Sequence, residues 1–184
     1  MPANFSNARY YADVAAGGVF IGSTAAAGTA TPAAGGTAMT FGLWNTSPNL
    51  NAVLLGFTAQ YVSGTITVAG FGLTIIPNAG FAIGTGAPIS AFTGGTPTNA
   101  LVGHGSASGM RFTPSAATIV AGTNFAFFGT GHEIATAGPG MNNSFTDLGG
   151  AVVLAPGSAA FVTSTIAQTG VFAMSLIWNE IAVS

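Results

Sequence analysis

Only six side chains of this 184-residue chain carry charge, and none of them is a lysine. They are Arg9, Asp13, Arg111, Glu133, Asp147 and Glu180. An average soluble domain is about 25% charged; this one is 3% charged. Surface charge keeps folded proteins apart in solution, so a lone monomer of this composition has few means of staying dispersed. Two surroundings relieve that problem: a bilayer, or an assembly in which other copies or partners cover most of the surface.

The bilayer is the poorer match. A spanning helix needs about 20 consecutive apolar residues. The apolar runs here are short: 52–57 contains Gly56, 71–76 ends at Pro77, and 171–178 stops at Asn179 and Glu180. Barrel strands are shorter, but a barrel lumen is polar and often charged, and there is little charge to place in it. Residues 1–14 have no apolar core of the export-signal kind. The expectation is therefore an assembly subunit made in a reducing cytoplasm, in keeping with the absence of cysteine.

Composition also limits the chemistry. Two arginines cannot form the basic patch of a nucleic-acid binder. Gly84-Thr85-Gly86 and Gly129-Thr130-Gly131 resemble pieces of phosphate loops, but neither runs on into Gly-Lys-Ser/Thr. His104 lies in a Gly/Ser-rich loop with Ser106 and Ser108, where a Ser–His pair can be imagined without the frame of a nucleophile elbow. His132 and Glu133 are adjacent and on a strand would point to opposite faces. A zinc site would need His104, His132, Glu133 and Asp147 to converge. The Asn-x-Ser sequons at Asn4, Asn45 and Asn142 are read as chance. Trp44, Tyr61 and Trp178 could stack on sugars, but each lies in an apolar run and is expected to pack in a core or interface. No catalytic residue, cofactor or metal is expected.

Along the chain, residues 1–17 stand apart because Arg9, Tyr10, Tyr11 and Asp13 concentrate charge and tyrosine. The plain reading is a short terminal strand or helix; the functional reading is a docking arm, since tyrosine and arginine are favoured at interfaces. Residues 22–38 are Ala/Gly/Thr-rich and read as a linker by composition; in a tight assembly such small residues also let backbones approach closely. The division expected is an arm and linker over 1–38 and a folded domain over 39–184. Within that domain, apolar and β-branched runs alternate with Gly/Pro/Asn turns, giving roughly eight to ten strands and no convincing helix. The runs 52–62 and 65–76, joined at Ser63-Gly64, are expected to form a hairpin. Residues 77–109 read as long loops holding one or two short strands, and 136–147 as another loop. The fold class expected is all-β, an antiparallel jelly-roll-like sandwich.

The run 171–183 alternates clearly. Phe172, Met174, Leu176 and Trp178 form the expected core face. Val171, Ala173, Ser175, Ile177 and Asn179 form the other, unusually apolar for a solvent face. Val171, Ala173 and Ile177 are therefore expected at a subunit interface. A similar alternation sets Phe125 and Phe127 against Phe128.

The order of motifs carries a resemblance. Leu43-Trp44-Asn45 precedes a Pro/Asn turn, a long apolar strand ends in Gln60-Tyr61-Val62-Ser63-Gly64-Thr65, Val152-Val153-Leu154-Ala155-Pro156-Gly157 follows, and the chain closes on Leu176-Ile177-Trp178-Asn179-Glu180. Over residues 40–184 this resembles small all-β virion proteins of tailed bacteriophages, the capsid decoration (cement) and head-fibre or knob proteins. The resemblance implies a trimer on the outside of a capsid, with the major capsid protein as partner. It transfers no functional residue. The function expected is a structural virion protein that decorates and stabilises a capsid. One alternative is a head- or tail-fibre module that binds host glycan, which would expose aromatics such as Phe81, Phe92 and Phe145 in the two loop regions. Another is a self-assembling sheath or filament subunit.

Overall fold

The computed structural model describes residues 10–120, 122–131 and 144–183, with the backbone alone for 124–131 and 144. Arg9, His132 and Glu133 lie outside the described residues, as do the side chains of Phe125, Phe127 and Phe128. A short helix, α1 (Tyr11–Ala15), is followed by strands β1 (Val19–Ser23), β2 (Thr29–Ala30), β3 (Ala38–Met39), β4 (Gly42–Trp44), β5 (Leu50–Ser63), β6 (Gly70–Ile76), β7 (Ile89–Phe92), β8 (Thr98–Asn99), β9 (Arg111–Thr113), β10 (Ala117–Ile119), β11 (Thr123–Gly131), β12 (Ser144–Leu154), β13 (Ala159–Ser164) and β14 (Val171–Ala182). The protein is all-β and its sheets are antiparallel. No described helix is long and apolar enough to cross a membrane.

The strands form three sheets. The first has the order β12-β5-β14-β1-β8, with β2 also on β14; the second is β11-β6-β13-β4-β9; the third is β3-β10-β7. Apolar side chains from the facing sides of the first two sheets make the main core. Phe20, Leu54, Phe57, Phe172, Leu176 and Trp178 come from the first; Leu43, Phe71, Leu73, Phe112, Ala160 and Val162 come from the second. A second core lies on the far side of the second sheet, where Trp44, Ile76 and Phe161 meet Met39, Ile89, Ala117 and Ile119. The second sheet is thus covered on both faces. That is why all six residues of β13 are buried and its sequence, Ala-Ala-Phe-Val-Thr-Ser, shows no alternation.

Two expectations fail. The runs 52–62 and 65–76 are not a hairpin, because β5 belongs to the first sheet and β6 to the second. Both sides of β5 are already taken, by β12 and β14. At Gly64, whose φ of +96° suits glycine, the chain leaves the sheet. Ile66 then closes the end of the core. The crossing is tied to the loop after β13: Thr67 N donates to Gln168 Oε1 at 2.9 Å, and Thr169 Oγ1 donates to Thr65 O at 2.9 Å.

The boundary at residue 38 also fails to separate arm from body. β1 pairs with β14 from Val19↔Asn179 to Ser23↔Ser175, and β2 pairs with it at Val171↔Ala30. Phe20 is a core residue stacked on Trp178, with ring centroids 6.2 Å apart. The Ala/Gly/Thr-rich segment is therefore sandwich, not linker. Small residues suit it where backbones approach closely: a Cβ at Gly28 would stand 2.8 Å from the Phe172 backbone.

Candidate functional site

The outer face of the first sheet is its only broad side that no other sheet covers among the described residues. The alternation of β14 sets it up. Phe172, Met174, Leu176 and Trp178 are buried, and Val171, Ala173, Ser175 and Ile177 are half-buried on the other side. The three residues expected at an interface thus share this outer face, with β2 flanking Val171.

Register defines rows across the face. Ser23, Ser175, Thr58 and Phe145 stand side by side on β1, β14, β5 and β12; Ile21, Ile177, Gly56 and Asp147 form the next row. Ala173 is opposite Gln60. The Ser23 and Ser175 hydroxyls are 2.8 Å apart and hydrogen-bonded.

The N-terminal segment crosses this face at one end. Tyr10 Oη donates to Asp147 Oδ1 at 2.9 Å, while Asn99 Nδ2 donates to Gly17 O at 2.7 Å and Glu180 N to Gly18 O at 2.8 Å. Asp147 is on edge strand β12 and Asn99 on edge strand β8, so residues 10–17 reach from one margin of the sheet to the other. Of the residues read as an arm, Tyr10 is anchored on its own sheet. Tyr11 and Asp13 on α1 are exposed.

The other half of the face stays open as a groove of about 450 Å³. Its lining includes Ser23, Thr24, Thr58, Gln60, Phe145, Ala173 and Ser175, none of them charged. Phe145 is 61% exposed. Its ring leans over β5 because residue 56 is glycine: a Cβ there would stand 3.1 Å from the ring.

Among the described titratable groups, Glu180 and His104 serve the scaffold. The Glu180 carboxylate accepts from Ser108 Oγ, from Gly109 N at 2.9 Å and from Trp178 Nε1 at 3.0 Å. It thereby clamps the loop before β9 to β14. Glu180→Ala should cost about 2 kcal/mol, because three donors lose a charged acceptor. Hydrogen exchange at the Gly109 amide should quicken with it, and Glu180→Gln should lose less. An unchanged exchange rate in the alanine variant would show that the clamp does not hold the loop.

His104 does meet Ser106, with Nδ1 and Oγ 2.8 Å apart. The same Oγ also accepts from Asn99 Nδ2 at 3.0 Å, and the ring sits against Gly17, where a Cβ would be 2.7 Å away. The pair locks its own loop to β8 and the N-terminal segment. Among the described residues no group of three or more His, Cys, Asp or Glu converges. The aromatics considered for sugar stacking are engaged internally: Trp44 Nε1 donates to Gly80 O at 2.8 Å and Tyr61 Oη to Gly64 O at 2.7 Å. The Arg111 guanidinium sits 5.3 Å from the Trp44 ring centroid, a cation–π distance.

Sequence reasoning found the β14 face but not Thr58, Gln60 and Ser23 beside it. These come from strands far apart in the chain, and no local spacing announces them. Phe145 was legible only as an aromatic in an expected loop; it stands on β12.

No family model, curated protein or solved structure matches this chain.

Proposed function

We propose that this chain is a structural virion protein that decorates and stabilises a bacteriophage capsid as a homotrimer. The observation that carries the reading is the strand order. The order β12-β5-β14-β1 faces β11-β6-β13-β4, and the chain changes sheet at nearly every long strand. We read this as a jelly roll, an architecture used by viral capsid proteins, lectins and cupins. A cupin-like metal centre would need converging histidines and carboxylates, and the described residues offer no such group. The sparse charge favours the capsid member of that set, because obligate interfaces are more apolar than ordinary surface.

Exposed apolar side chains supply contact area: Phe81 (52%) and Val120 (60%), with Val68 and Ile166 (51% each) in the two joined loops at one end of the sandwich. Of the three residues expected at a subunit interface, Val171 and Ile177 are kept for the proposed contact, while Ala173 lines the groove between them. A closed trimer would shield strand edges that otherwise invite uncontrolled pairing. Binding only to the assembled lattice of the major capsid protein would stabilise it by mass action.

The test is light scattering on the purified protein, followed by co-sedimentation with phage heads stripped of their decoration. A discrete trimer that binds the heads and raises their melting temperature is expected. A monomer, or filaments that ignore heads, would overturn the reading.

A further inference from the structure

We propose that the groove on the outer face of the first sheet binds a neutral oligosaccharide, with Phe145 as its stacking platform. The groove combines two things that a sugar ring also combines. One is an apolar plate: the Phe145 ring, 61% exposed and laid over Gly56, where a Cβ would crowd it at 3.1 Å. The other is a set of uncharged donors and acceptors beside that plate. Thr58 stands directly opposite Phe145, Ser175 opposite Thr58, and Ser23 opposite Ser175.

Their capacity is open. The Gln60 carboxamide is exposed and, like the Thr58 hydroxyl, makes no hydrogen bond within the described structure. A carboxamide offers two donor hydrogens and an acceptor oxygen, and a hydroxyl offers one donor with two lone pairs. Ser23 and Ser175 bond each other at 2.8 Å, which satisfies one donor and leaves the other. The apolar C–H face of a hexose fits against the ring, and its hydroxyls fit the row of polar groups.

Charge narrows the ligand class. Among the described residues no charged side chain lines the groove, so they offer a phosphate, a nucleotide or a sialylated glycan no counter-charge. A second copy pressed into the groove would bury Gln60 and Thr58 against a largely apolar surface, where an unpaired polar group is costly. The row from β1 to β12 spans three inter-strand spacings, about 14 Å, enough for about three hexose rings. The inference does not rest on the capsid reading, since a single chain carries the whole groove.

The test is titration calorimetry with maltohexaose, cellohexaose and mannohexaose, with the protein's mass measured by light scattering in the same samples. Binding of at least one of them at millimolar concentration or below is expected. Phe145→Ala should weaken it about ten-fold, the order of one lost aromatic contact. Phe145→Trp should keep it, which guards against a mere folding defect. Gln60→Ala should weaken it less, and Val102→Ala, at an exposed apolar residue outside the groove, should leave it unchanged. Absence of binding to all three sugars would overturn the proposal, as would binding that survives Phe145→Ala. So would a Phe145→Ala variant that changes the oligomeric mass in place of sugar affinity, since the groove would then belong to a neighbouring subunit. None of these outcomes depends on whether heads are bound.

Discussion

Trp178→Ala is expected to destabilise the sandwich by about 3–5 kcal/mol, the range for removing a large buried aromatic ring. The indole is fully buried and lies between two rings. Phe20 of β1 is stacked on it at 6.2 Å and 26°, and Phe112 of β9 at 6.2 Å and 23°. The first partner belongs to its own sheet and the second to the facing sheet, so one side chain joins both layers. Its Nε1 also donates to Glu180, so alanine would weaken the loop clamp as well. Domains of this kind are typically stable by about 5–15 kcal/mol, so the loss would remove a large part of the total. Urea unfolding followed by far-UV circular dichroism measures it. Trp178→Phe should lose less, keeping the stack but not the hydrogen bond. A loss under about 1 kcal/mol for alanine would mean that the core collapses around the gap and that the stack does not bridge the layers.

Asn45→Ala is expected to cost a similar amount, about 3–5 kcal/mol, by a different route. Asn45 follows β4, is fully buried and has its whole amide in use. Nδ2 donates to Leu50 O at 2.7 Å and to Leu154 O at 2.8 Å, and Oδ1 accepts from Ser47 N at 3.0 Å. Its own backbone is bonded to Ser158 O and Gly157 N, both at 2.9 Å. One side chain therefore fastens the end of β4, in the second sheet, to the start of β5 and the end of β12 in the first. Alanine leaves two carbonyls and an amide without these partners, at about 1–3 kcal/mol for each group that water cannot reach. Asn45→Asp should be worse than alanine, because it sets an acceptor against two acceptors. Thermal unfolding of the three proteins gives the ranking; an aspartate variant as stable as wild type would refute the account.

The core was legible where one face of a strand is buried and the other is not. Phe172, Met174, Leu176 and Trp178 alternate with half-buried residues because β14 lies in the sheet whose outer side is open. The same rule is silent for β13, which is buried on both faces. The hairpin expected between β5 and β6 failed because a Ser-Gly turn marks a reversal without saying which sheet receives the next strand. The segment 22–38 was misread because small residues look alike in a flexible linker and in a place where backbones pack closely, as Gly28 does on Phe172. The groove was the least legible feature. Ser23, Thr58, Phe145 and Ser175 become neighbours only through register across four strands.

Among the described residues, no two strands that follow each other in the chain are hydrogen-bonded neighbours. On the ribosome this means that no early fragment can complete even a two-stranded ribbon with the strand made next. β2 waits longest: its strand partner among the described residues is β14, where Ala30 meets Val171, whereas β1 can pair first with β8 at Phe20↔Asn99. Topologies so dominated by distant pairings fold slowly, on the order of milliseconds to seconds. Throughout that wait the nascent chain displays its phenylalanines with almost no charge to repel its siblings. Yield in the cell should therefore be governed by the rate of synthesis and by chaperone supply more than by the stability of the finished fold.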